Sequence, residues 1–450
     1  MHTAHRRRGL TAVALAGAAG LVLAGCTGGG GGDGGGDADC SDYEQYGTFD
    51  NASVEVYATI IDVEADQLVE SWADFEECTG ITIDYVGTQE AETQINVRVA
   101  AGDAPDIMIV PQPGLLQRLI GDGAVVPASA EVEANVDEFW SESWKGYGSV
   151  DGTFYAAPLM ASVKGYIWYS PADFEENGYE VPETWDDLVA LTEEMADNND
   201  SQTYRPWCVG FGSGDATGWP GTDWIEDLVL RMHGPEAYDQ WVAGELPFSS
   251  PEIQEAFDAA GEILLNPDFV NGGFGGVESI NSTTFQDAGL AILDGNCSLH
   301  HQASFYEAQW GEDVEVAEDG DVWAFITPKV DADAGDSVTG GGEFVAAFTD
   351  SEETDAVQQY LSSDTWANIR VGLGGVISAN NGVDPSVAGS EIGAQSMEIL
   401  QGEDTVFRFD GSDLMPAAVG TSSFWTGIVD WVGGDSTSSV TSRIDASYPR

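Results

Sequence analysis

The stretch Gly218-Trp219-Pro220-Gly221-Thr222-Asp223-Trp224 sets two indoles beside a carboxylate and a hydroxyl. Trp425, preceded by Ser423-Phe424, is a third indole outside an apolar run. Indole faces suit the flat C–H surfaces of sugar rings, and carboxylates and amides suit sugar hydroxyls. Core packing is the ordinary role for others of the 14 tryptophans, Trp72, Trp185, Trp241 and Trp366 among them. Signatures of covalent chemistry are missing: there is no GxSxG, HExxH or Walker loop, and no GxGxxG after a strand. Gly340-Gly341-Gly342-Glu343 is glycine-rich but lacks the Lys and Ser/Thr of phosphate loops. Carboxylate pairs that could hydrolyse glycosides are too abundant for any one to stand out. His300 and His301 are adjacent, so on a strand they point apart. With no Cys/His cluster at metal-site spacing, neither a metal nor a cofactor is expected.

Charge narrows the partners. The chain has 78 acidic residues against 14 basic ones, a net charge of −64. Such a surface excludes nucleic acid and anionic membranes as partners. The acids are spread rather than blocked, which reads as a solvated surface adapted to a saline exterior. At the start, Arg6-Arg7-Arg8 precedes an alanine-rich apolar run from Leu10 to Ala24. That run is short for a membrane span and reads as a secretion signal over 1–25, with the arginine pair suggesting twin-arginine export. Leu23-Ala24-Gly25-Cys26 resembles a lipobox, which makes Cys26 the expected acylation site and the lipid the only membrane link. The glycine-rich stretch 26–40 has nothing to bury and reads as a tether with a reach of about 20 Å.

The elements that must position these residues follow from periodicity. Val54 to Ile61 reads as a strand, and Leu68, Val69, Trp72 and Phe75 as one helical face stopped by Gly80. Ile81, Ile83 and Tyr85 alternate as a second strand, and Asp106 to Val110 makes a third. Strand–helix–strand repetition implies a parallel α/β sheet with ligands at the strands' carboxyl ends. Those ends are Asp62, Gly87 to Glu90, and Pro111 to Gly114. Further on, Thr184 with Asp187 forms a capping box before Leu188, Leu191 and Met195. Ser250-Pro251 opens a helix carrying Ile253, Phe257 and Leu264 inward, Gly272 to Gly276 is a loop, and Gly289 to Leu293 reads as a buried strand. The length calls for two lobes. Cys40, Cys78, Cys208 and Cys297 imply two disulfides, with three pairings possible; Cys40–Cys78 and Cys208–Cys297 would each stay within one lobe.

Several longer motifs resemble the substrate-binding lipoproteins of ABC sugar importers, in the maltose-binding-protein-like family of extracellular solute-binding proteins. They are Val99-Ala100-Ala101-Gly102-Asp103-Ala104-Pro105-Asp106-Ile107, Tyr155-Ala156-Ala157-Pro158-Leu159 through Ile167-Trp168-Tyr169, Ala291-Ile292-Leu293-Asp294-Gly295 and Ser423-Phe424-Trp425. Pro206-Trp207-Cys208-Val209-Gly210, the Trp219 loop, and Cys297 with His301-Gln302-Ala303-Ser304-Phe305 are similar to the α-glucoside-binding branch, and they support the Cys208–Cys297 pairing. The resemblance implies a two-lobe α/β fold of the type II periplasmic-binding-protein kind, each lobe a sheet flanked by helices and joined by crossing hinge strands. The lobes would be 41–158 with 328–380, and 159–327 with 381–450. It implies a monomeric receptor, not an enzyme, for a di- or oligosaccharide, working with the importer's membrane permease subunits. By position Asp62, Gln112, Trp219 and Trp425 would line the cleft, the tryptophans stacking on rings. Asp215 and Asp223 would add hydroxyl partners, and Gln89, Lys164, Trp224, His301 and Glu343 complete the expected ligand set. Two alternatives remain: a secreted glycosidase, and a receptor for a non-sugar solute such as a polyamine or peptide.

Overall fold

The structure, a computed structural model, describes residues 40–199, 201, 203–271, 276–311, 313–331, 334–402 and 405–449. The signal, Cys26, residues 27–39 of the tether and most of the Gly272–Gly276 loop lie outside them. In chain order the strands are β1 (Ala52–Ala58), β2 (Ile81–Gly87), β3 (Ile107–Val110), a hairpin of β4 (Ser149–Val150) and β5 (Thr153–Phe154), β6 (Ala156–Val163), β7 (Tyr166–Tyr169), β8 (Trp207–Cys208), β9 (Val270–Asn271), β10 (Leu299–Gln302), β11 (Trp323–Ile326), β12 (Ser337–Ala347) and β13 (Val406–Phe409).

The first sheet has the order β13-β12-β3-β1-β2, with β6 also paired to β12. β1 lies parallel to β2 and β3, as the strand–helix–strand pattern requires. Its alternating side chains feed two cores: Val54, Val56 and Ala58 face Trp72, Phe75 and Trp366, while Tyr57 faces Leu115, Leu119 and Phe344. Burial on both faces is what an α/β sheet demands. The second sheet, β11-β7-β10-β8-β9, packs a separate core around Trp207, Trp224, Phe257 and Trp431. The chain passes from the first sheet to the second at Lys164-Gly165, returns between β11 and β12, and leaves again after β13. Gly165 has φ 77°, and a Cβ there would stand 2.6 Å from the Asp227 carboxylate, so only glycine passes this crossing.

Two expected elements differ. The helical face from Glu64 splits into Asp62–Glu70 and Ala73–Thr79, because Trp72 leaves the helical region (φ −116°, ψ 10°) while Ser71 Oγ donates back to Leu68 O at 2.6 Å. Leu68, Trp72 and Phe75 are buried, but Val69 is 41% exposed, since it falls off their face. Gly80 does end the second helix, at φ 74°. Gly289 to Leu293 is not a strand: Gly289–Ile292 is a single 3-10 turn, pinned where Gly289 N–H donates to the Tyr306 hydroxyl at 2.9 Å. The buried strand is β10, Leu299–Gln302, whose polar residues hid it from a hydrophobicity reading. The Thr184–Asp187 capping box and the Pro251–Leu264 helix form as read, and the disulfides pair Cys40–Cys78 and Cys208–Cys297. β13 lies within 381–450 yet pairs with β12 in the first sheet, so the sheets do not divide at 380; from Gly411 the chain joins the second core. β13 is four residues long and largely unburied, too weak a pattern to place from sequence.

Candidate functional site

The carboxyl ends of β1 and β3, the glycine-rich middle of β12 and the two tryptophan-bearing segments enclose a cleft of about 370 Å³. Asp62, Gln89, Gln112, Lys164, Trp219, Glu343 and Trp425 all line it. Asp62 is an irregular residue, with φ 57° at the start of its helix. Gln112 precedes the Pro113–Gly121 helix at its N-cap position, without a side-chain capping bond, and is 5% exposed. Its Oε1, like the Trp425 indole Nε1, is buried with no partner among the described residues. Each such orphan costs about 1–3 kcal/mol, which a ligand hydroxyl drawn into reach would relieve.

The aromatic wall is built by one close approach. Gly218, at φ 114°, sits so near the Trp425 backbone that a Cβ would lie 2.9 Å from its carbonyl carbon. Glycine therefore lets the Trp219–Val242 helix begin against the segment that carries Trp425. That segment is a π-helical turn, Val419–Phe424, running into the Trp425–Val432 helix. Such turns often mark functional sites. Trp219 is half-buried and meets Phe285 edge-on at 4.9 Å, with Phe305 at 6.1 Å. Both phenylalanines line the cleft. Phe305 closes the motif that begins at His301 but is not among the expected ligand residues, and Phe285 has no distinguishing neighbours in the sequence.

Four expected ligand residues are placed elsewhere. Trp224 comes five residues after Trp219, about 140° around the helix, so it turns into the second core. There it packs on Trp207 at 5.0 Å and on the His301 ring at 4.5 Å. His301 is buried with it, its Nε2 3.7 Å from Asp227 Oδ2. Asp223 lies beneath Trp219 and is 2% exposed, engaged by Lys164 rather than open to solvent. Asp215 is exposed and accepts a hydrogen bond from Thr93 Oγ1 at 3.4 Å, joining the two lobes beside the cleft. Glu64, missed at the sequence level, lines the cleft with Glu343. Among so many acids nothing in its neighbourhood singled it out.

Beneath the cleft floor Lys164 gathers the crossings. Its Nζ donates to Asp223 at 2.9 Å and to Asp410, and stands 5.2 Å from the Trp219 ring centroid. Glu226 accepts the backbone N–H groups of Gly411 and Ser412 at 2.8 and 3.0 Å. Burial opposes the ammonium, but Asp223 and Asp410 outweigh it and raise Lys164 well above its ordinary value. Burial also pushes Asp223 up to about 8 against the pull of Lys164. Glu226 is driven well upward by burial and by Asp410. At Asp410 burial loses to Lys164 and to hydrogen bonds, which hold it near 2. Asp223, Glu226 and Asp410 bring oxygens within 4.8 Å of one another, a spacing a cation could bridge, and the Lys164 ammonium supplies positive charge there.

This geometry is an open, aromatic and polar pocket between two sheets, and comparisons agree with that. Residues 62–363 match the family described as bacterial extracellular solute-binding protein. The chain is 36% identical over 407 residues, 90% of its length and 94% of the relative's, to the osmoprotective compounds-binding protein GgtB of Synechocystis. It is 36% identical over 386 residues, 84% and 82% of the two chains, to the alpha-glucosides-binding periplasmic protein AglE of Rhizobium meliloti. In fold it is similar to maltose-bound T. maritima MalE3, with TM-score 0.68, 15% identity and 88% and 98% coverage. It is also similar to the solute receptor AcbH, with TM-score 0.73, 16% identity and 88% and 98% coverage. The two-lobe α/β fold is shared with these solute receptors, and the family and its relatives are binding proteins rather than glycosidases. The chain belongs to the bacterial extracellular solute-binding protein family, as a receptor that serves an ABC transporter and is not an enzyme.

Proposed function

We propose that this chain captures an α-glucoside, a di- or oligosaccharide such as maltose, trehalose or sucrose, and presents it to the permease subunits of an importer. The observation that carries the reading is the pairing of Trp219 and Trp425 on one wall of a cleft whose other lining groups include Asp62, Gln112 and Glu343. A cavity of about 370 Å³ sits within the common range for small-molecule sites, about 300–1,000 Å³. The relatives' names add weight: one is an α-glucoside receptor and the other a receptor for osmoprotective compounds. Sucrose and trehalose are both. Closure of the lobes would exclude water and strengthen the hydrogen bonds to the sugar. Acylated Cys26 and the glycine tether would hold the receptor, as a monomer, near its permease on the outer face of the cell membrane.

A thermal-shift screen of maltose, trehalose and sucrose against spermidine and a short peptide tests this. A ligand at 100 times its dissociation constant stabilises by about 2.7 kcal/mol. A shift with at least one α-glucoside supports the reading. A shift with spermidine or peptide alone would replace it.

A further inference from the structure

The Trp219–Val242 helix carries Trp219, Asp223, Glu226 and Asp227 at i, i+4, i+7 and i+8, which is one helical face. Trp219 lines the cleft, and the three carboxylates below it are buried, none more than 2% exposed. Each engages a different passage between the two sheets. At the first crossing Asp223 accepts from Lys164 Nζ at 2.9 Å. At the second, where the chain enters β12, Asp227 Oδ1 accepts from Thr339 Oγ1 at 3.5 Å. At the third, after β13, Glu226 accepts the Gly411 and Ser412 N–H groups at 2.8 and 3.0 Å. The passages are also tied to one another. Gly165 O accepts from Thr327 N–H at 2.7 Å and from its Oγ1 at 2.9 Å. Lys164 N–H donates to Thr339 O at 2.8 Å, and Asp410 N–H to Gly340 O at 2.7 Å. This knot has bonds unspent. Asp227 Oδ2, Arg231 Nε and Nη2 and His301 Nε2 are buried with no hydrogen-bond partner among the described residues. His301 Nε2 stands 3.7 Å from Asp227 Oδ2, so a shift of about 1 Å would complete that bond. A second arrangement is therefore within reach, as a hinge requires.

We propose that Asp223, Glu226 and Asp227 are positioning residues for ligand capture: they clasp all three crossings to the helix that carries Trp219, so that a sugar ring seated on Trp219 and the hinge move as one unit. The carboxylates follow Trp219 within about two turns of one helix, too short a stretch to bend between them. A shift of Trp219 is therefore delivered to the three crossings together, and a rotation of the lobes is delivered back to Trp219. Lys164 shortens the link. Its ammonium stands 5.2 Å from the Trp219 ring centroid while it holds Asp223 and, across the third crossing, Asp410. The coupling to ligand rests on the reading of the cleft as a sugar site; the clasp itself does not.

The test is hydrogen–deuterium exchange of the full chain, read by mass spectrometry on peptides that cover the three crossings. It is run without ligand and with saturating maltose, trehalose or sucrose. In ligand-free Asp227→Asn and Glu226→Gln proteins, exchange at Lys164-Gly165, at Thr327 and at Asp410 to Ser412 should quicken together by about tenfold or more. That includes crossings which the altered residue does not touch, whereas a merely local role would quicken only the touched one. Thr339→Val removes the Asp227 contact at the second crossing alone, and it serves if a carboxylate variant fails to fold. In wild-type protein, sugar should slow exchange at all three crossings by one common factor. In the variants it should slow only the Trp219 segment. Quickening confined to the touched crossing, or sugar protection of the crossings unchanged in the variants, overturns the clasp and leaves the sugar reading intact. No protection of the wild-type Trp219 segment by any of the three sugars overturns the sugar reading, and the ligand-free comparison then decides the clasp.

Discussion

Lys164 decides how the floor of the cleft holds together. One ammonium faces the buried Asp223, Asp410 and Glu226 and the half-buried Asp413, and two of them engage it directly. Lys164→Met would leave the ionised Asp410 without its counter-charge, and breaking a buried pair from one side costs about 3–5 kcal/mol. Urea unfolding at pH 7 reads that loss. The same floor sets the pH dependence of stability. Asp223 sits near 8 against an ordinary 3.8, and Glu343 near 7 against 4.5. Both values are raised, so the folded chain binds protons that the unfolded chain has released. The stability they bring is full below about pH 4 and is lost as pH rises through 7 to 8. Unfolding free energy should therefore decline from pH 5 to pH 8, and Asp223→Asn should remove part of that slope, as stepped-pH urea titrations will show.

At the scale of elements, most of what faces the cleft was written in local patterns. The β1–β3 unit and Gly80 were legible because apolar period and glycine conformation both act over a few residues. Trp219 and Trp425 were legible because each indole lies outside an apolar run. Trp224 was misjudged because the loop begins a helix at Trp219, and helical rotation then separates the two indoles. Glu64 and Glu343 were not legible as cleft neighbours: far apart in sequence, they come to line one cleft only through the tertiary fold. β13 found its place for the same reason, through β12. The disulfides add constraint within each part of the chain, closing separations of 38 and 89 residues. Loop-closure entropy assigns each about 4–5 kcal/mol. A Cys208→Ala, Cys297→Ala double variant should lose stability on that order in denaturant titration, and reducing agent should do the same to the wild type.

For the whole molecule, charge and architecture act together. A net charge of −64 repels itself at low ionic strength, and no helix among the described residues is long and apolar enough to cross a membrane. Salt screens such repulsion over about 10 Å at 0.1 M and about 3 Å at 1 M. The melting temperature should rise steadily with sodium chloride, and a flat curve would count against adaptation to a saline exterior. The two sheets, their crossings at Lys164-Gly165 and after β13, and the aromatic wall make one receptor whose purpose is the cleft. Its central claim is that Trp219 and Trp425 hold an α-glucoside there. Calorimetric titration of maltose, trehalose and sucrose into wild-type protein and into the Trp219→Ala, Trp425→Ala double variant tests it most directly. Trp425 is already only 6% exposed, so the loss falls mainly on the half-buried Trp219; with about 1.5–3 kcal/mol for burying an aromatic side chain, the double variant should weaken binding by about tenfold or more. Equal binding by the double variant, or no heat with any of the three sugars, would contradict the account.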